Sequence, residues 1–141
     1  MTELPGTLSV PVVRADFTDD VVWDLVRQWI VEPTEDGFLA DVDFVEDRSL
    51  SGLDEATIVA GYRPSYPDEY RHPVLFVIDA VAVATPEHPV LVISLDARYD
   101  GHPFRALPQQ VQAIQNNLSL GNMDYSDFAT SVDDDGVFRD F

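Results

Sequence analysis

The apolar and polar positions of this chain fall into short runs with readable periods, and these predict its elements. Thr7 to Arg14 is rich in β-branched residues and follows Pro5-Gly6, which predicts a first strand. A helix is expected next, with Thr18 as its cap, Asp19 and Asp20 in its first turn, and Phe17 placed to staple onto Val22. Its inner stripe reads Val21, Val22, Leu25 and Trp29, with Ile30 beside it. Phe38 to Val45 alternates, with Phe38, Ala40, Val42 and Phe44 on one face and Asp41 and Asp43 on the other, the pattern of a half-exposed strand. A short helix is predicted over Asp54 to Ala60, ended by Gly61.

Two buried strands are then expected, His72 to Asp79 and His88 to Asp96, and a shorter one over Pro103 to Leu107. The link Ala80 to Glu87 is shorter than a parallel crossover usually needs, which favours antiparallel pairing, and Ala97 to Gly101 suits a hairpin. Pro108 opens a helix lined by Val111, Ile114 and Leu118 and stopped at Gly121. A last short helix starts at Asp124, with Tyr125, Phe128, Ala129 and Val132 turned inward. The order βαβαβββαα predicts an α+β fold, a mixed and mainly antiparallel sheet with helices packed on one face, and not a doubly wound sheet.

Length and composition narrow this little further. A chain of 141 residues suits one domain, with eight Phe, five Tyr and two Trp to fill its core. With no cysteine, disulfides, thiolate catalysis and cysteine-ligated metals are excluded. Met1 to Val10 has neither a basic nor an apolar leader segment, and the longest apolar stretch, Val74 to Ala84, is far short of a membrane span. A cytoplasmic protein without membrane contact is expected.

Charge changes the picture more. Twenty-six acids stand against eight bases, all of them Arg, for a formal net charge of −18. Such a chain repels phosphate backbones, so direct nucleic-acid binding is not expected. Three accounts of the acidity remain: a solvated surface set by genome composition, a partner with a basic surface reached by electrostatic steering, or mimicry of nucleic acid in a basic groove.

Candidate chemistry is sparse. Each of the three His precedes a Pro at a strand start. In an antiparallel meander His72, Asp96 and His102 would meet at one sheet end, a ligand set for a divalent metal. Proline's tolerance at the first residue of a strand explains the same pattern without a metal. Asp133 to Asp135 lacks the alternating ligands of a calcium loop. The chain carries no dinucleotide fingerprint, phosphate loop, nucleophile elbow or zinc-protease motif, and no cofactor is expected.

Two segments break the chain's habits. The first, Tyr62 to Arg71, brings Tyr62, Arg63, Tyr66, Tyr70 and Arg71 together with two prolines, a hot-spot composition or else a loop packed over the core edge. The second, His102 to Met123, has no Asp or Glu and holds four of the five Gln and all three Asn. Its helix sets Gln109, Gln112 and Asn116 on one face, a neutral surface fit for contact or else half buried among neighbours.

The blocks Arg14-Ala15-Asp16-Phe17 with Trp23, Tyr70 to Val77, Pro86 to Val92, and above all Asn116 to Tyr125 resemble a family of small acidic actinobacterial proteins, a domain of unknown function; Asp135 to Arg139 is similar too. The resemblance implies a high-GC bacterial source, where lysine is scarce, and brings no catalytic residues with it. The leading reading is therefore a non-enzymatic protein-interaction module with a protein partner, in a toxin-neutralising or inhibitor-like role. The alternatives are a small metal-dependent enzyme at His72, Asp96 and His102, and a nucleic-acid-mimicking inhibitor. The sequence sets no oligomeric state.

Overall fold

The computed structural model describes residues 7–62, 72–96 and 102–141. Strand β1 spans Val10–Arg14 and leads into helix α1, Asp20–Val31. Strand β2 is Val42–Val45, followed by a 3₁₀ turn at Arg48–Leu50 and helix α2, Glu55–Tyr62. Strand β3, Val74–Ile78, passes through the short helix α3, Ala80–Ala84, to β4, Val90–Ser94, and β5, Phe104–Ala106. A 3₁₀ turn at Pro108–Gln110 opens α4, Val111–Ser119, and then α5, Tyr125–Ala129, precedes β6, Val137–Phe138.

The strands form one sheet in the order β2-β1-β3-β4-β5-β6. β1 pairs parallel with both β2 and β3, β4 runs antiparallel to β3 and β5, and β6 is parallel to β5. The α+β class and the mixed sheet expected from the sequence hold, as does the antiparallel β3–β4–β5 meander. Two details of that expectation need correcting. Parallel pairings outnumber antiparallel ones, because long helical connections carry β1 to β2 and β2 back across to β3. The helices also cover both faces.

Strand burial explains the second point. Every residue of β1 and β3 is buried, so these strands need a cover on each side. Val12, Phe76 and Val92 face Trp23, Val26 and Ile30 of α1, with Val111 and Ile114 of α4 and Phe128 of α5. On the other side Val13, Leu75, Val77 and Ile93 meet Leu50 of the 3₁₀ turn and Ile58 of α2. Helix α1 thus lies on one face and α2 on the other, so the first three strands run in a small doubly wound arrangement that the expected one-faced cover did not include.

Local chemistry sets the element ends. Asp19, not Thr18, caps α1: its Oδ1 accepts from the backbone of Val21 at 3.0 Å and Val22 at 3.1 Å. Thr18 is instead bound to Asp16. The buried face of α1 is Trp23, Val26 and Ile30, whereas Val21 is exposed. Asp79 caps α3 through Ala82 N at 3.0 Å. Asp124 and Asp127 form the capping box of α5. Gly121, at φ 72°, takes the left-handed turn that ends the α4 region. Among the described residues no helix is long and apolar enough to cross a membrane.

Candidate functional site

The amino ends of β1 and β2 lie together at one end of the sheet, and the amide-rich segment is built into it. Gln115 of α4 is buried, and its Oε1 accepts from the Asp41 backbone at 2.7 Å while its Nε2 donates to Ser119 Oγ at 3.1 Å. Asn116 Nδ2 donates to the Leu39 carbonyl at 3.2 Å and to Gln115 Oε1. Two adjacent amides therefore clamp the backbone that leads into β2. Asp41 in turn accepts from Ser9 Oγ at 2.6 Å, tying in the start of β1.

The clamp leaves apolar side chains outside. Phe38 is 57% exposed, Leu39 56% and Leu120 72%. Phe38 was expected to join Ala40, Val42 and Phe44 in the core; those three pack against it, but β2 begins only at Val42. A turn joining Thr34 to Phe38 through two hydrogen bonds of 3.0 Å holds the Phe38 backbone in the loop instead. Leu120 donates its N–H to the Asn116 carbonyl at 3.0 Å, which sets it one helical turn from the clamp. Close to Phe38 and Leu39 in the chain are Glu32, Glu35, Asp36 and Asp41, all exposed.

Of the residues singled out in the sequence, Asn116 is half-buried and engaged, Gln112 is half-buried, and Gln109 is exposed. Tyr62 is the last residue of α2. Arg63, Tyr66, Tyr70 and Arg71 lie outside the described residues.

The metal ligand set is not assembled. Among the described residues no three His, Asp or Glu side chains are gathered to hold an ion. The β3–β4 register, carried two residues past Val74↔Ser94, does set His72 across from Asp96. The His72 ring turns to the N-terminal segment, with Nε2 2.9 Å from the Thr7 carbonyl oxygen, and His102 is exposed. His88 sits at the other end, its Nδ1 3.0 Å from the Ala82 carbonyl oxygen. Asp79, beside that end, is held by Arg105 at 2.8 and 3.0 Å.

The opposite end of β1 and β2 carries a constellation that sequence reading missed. Arg14 closes β1, is only 3% exposed, and donates to the Asp16 carbonyl at 3.0 Å, Asp20 at 2.6 Å and Glu46 at 3.3 Å. Its guanidinium lies 4.5 Å from the Phe17 ring centre and 5.2 Å from that of Trp23. Arg27 lies 5.5 Å from Trp23, and Arg48 lies 5.2 Å from Phe17. With Asp24 these residues line a cleft of about 640 Å³. The hydrogen bond and charge of Arg14, joined by the charge of Arg48, hold the Asp20 carboxyl below its ordinary value. Three of the chain's eight arginines meet here. The signal available in the sequence was the Arg14-Ala15-Asp16-Phe17 block with Trp23, in a chain whose bases are few and all Arg.

A six-stranded mixed sheet covered on both faces, with exposed apolar side chains beside the amide clamp at one end and an arginine cleft at the other, defines a small α+β protein. Residues 9–141 match the family described as a domain of unknown function (DUF6924), and the chain belongs to that family. A comparison with curated proteins finds no match.

Proposed function

We propose that this chain is a non-catalytic protein-interaction module that engages a basic partner through the sheet end bearing Phe38, Leu39 and Leu120. The observation that carries this reading is the exposure of three large apolar side chains on ordered backbone: Phe38 in the Thr34 turn, Leu39 bonded by Asn116, and Leu120 on the last turn of α4. Apolar side chains presented on a pre-ordered segment lose little entropy on docking. The acids close by in the chain, Glu32, Glu35, Asp36 and Asp41, favour a partner whose apolar contact is rimmed by Lys or Arg. The same acids, on a chain of net charge −18, disfavour a second copy of this chain. A cytoplasmic setting and a neutralising or inhibitory effect on the basic partner are part of this proposal.

Site-specific photo-crosslinking tests it. A photoreactive phenylalanine at position 38 or 120 is expected to trap the same basic protein, while one at position 55 on α2 traps none. Equal trapping from all three positions would count against this surface.

A further inference from the structure

The arginine cleft at the carboxyl end of β1 and β2 holds hydrogen-bond donors that no described residue of the chain satisfies. Trp23 is 2% exposed and lines the cleft, yet its buried indole Nε1 has no acceptor among the described residues; the same is true of the buried Nε of Arg27. A buried donor without a partner is costly, and an acceptor supplied from outside removes that cost. Arg48 stacks on Phe17 and makes no ion pair among the described residues, so its planar fork is open to a ligand. Every unmet group here is a donor, so the ligand must bring acceptors.

The cleft's own chemistry narrows the class. Arg14 already grips two carboxylates of this chain, Asp20 and Glu46, whose side chains are 73% and 47% exposed. Arginine forks at this site are therefore arranged around carboxylates. Three arginines face three acids, Asp20, Asp24 and Glu46, so the cleft is close to neutral within a chain of net charge −18. That balance admits one added negative charge more readily than two. The cleft's volume of about 640 Å³ falls within the roughly 300–1,000 Å³ usual for small-molecule sites.

We propose that this cleft binds a small monoanionic carboxylate, with Arg48 gripping the carboxylate and Trp23 Nε1 donating to it. This is independent of the exposed apolar side chains, which lie at the other end of the same strands.

Titration of the ¹⁵N-labelled full chain with benzoate, acetate and inorganic phosphate, against chloride at matched ionic strength, reads the proposal directly. Benzoate should move the Trp23 indole N–H resonance saturably, with a Kd on the order of 1 mM or tighter, and should leave that of Trp29 in place. Arg48→Gln, which breaks no ion pair among the described residues, should weaken binding about tenfold. The proposal is overturned if neither carboxylate gives a saturable shift, if chloride produces the same shift, if phosphate binds more tightly than benzoate, or if Arg48→Gln binds as the wild type does.

Discussion

Gln115 shows how one side chain can decide where a surface lies. It is a buried polar residue in a helix whose other inner positions are apolar, and its oxygen accepts the backbone N–H of Asp41, 74 residues away in sequence. Gln115→Ala removes this hydrogen bond and the one to Ser119, each worth about 0.5–1.5 kcal/mol, so a loss of about 1–3 kcal/mol in unfolding free energy is expected. Gln109→Ala, on the exposed side of the same segment, should change stability by less than about 0.5 kcal/mol. Chemical denaturation of the two variants makes the comparison; similar losses would mean that the clamp does not hold the loop. The sequence pattern passes over Gln115, because the amide face it singles out is Gln109, Gln112 and Asn116. Its long-range partner, which only the fold reveals, sets it apart from Gln109 and Gln112.

Helix α1 marks the boundary of what periodicity can supply. Its existence and its acidic start follow from the sequence, but its buried face does not. The stripes Val21–Leu25–Trp29 and Trp23–Val26–Ile30 both have helical spacing, and burial of Trp23 decides between them. Trp23 is drawn in by Phe44, with the ring centres 5.8 Å apart and edge to face. The cap was ambiguous for a similar reason, since Thr18 and Asp19 are adjacent capping types. Asp19→Ala should cost about 1 kcal/mol while Thr18→Ala costs a few tenths, as read by thermal unfolding. The reverse order would restore Thr18 as the cap. The β3–β4–β5 meander was legible because short links force neighbouring antiparallel strands. The parallel partners of β1 were not, because a long helical connection leaves the order of strands free. Strand β6, of two residues, is too short to carry a period. The arginine cleft draws on β1, α1 and the segment after β2, so it appears only once those elements are placed.

Across the whole chain, charge gives opposing pH effects that can be separated. Asp20, Asp47, Asp54 and Asp135 are each held below the ordinary value of 3.8: Asp20 by Arg14, Asp47 by Ser49, Asp54 by Thr57 and Asp135 by Arg139. A depressed carboxyl stabilises the fold at pH above its unfolded value and loses that contribution as pH falls through its folded value. These four contributions therefore vanish only below pH 3.8. Between neutrality and the isoelectric point near 4.1, the self-repulsion of a net charge of −18 is progressively relieved. In low salt the melting temperature should rise as pH is lowered from 7 towards the isoelectric point, then fall below 3.8. A steady decline from pH 7 downward would contradict this balance.

The proposed interaction places a basic partner at the end of the sheet bearing Phe38, Leu39 and Leu120. Its most direct test is quantitative affinity capture with three folded forms of the chain side by side: wild type, Phe38→Ser/Leu120→Ser, and Arg48→Gln. A basic protein retained by wild type and by Arg48→Gln, and lost with Phe38→Ser/Leu120→Ser, is the predicted result. Retention of the same proteins by all three forms would contradict it.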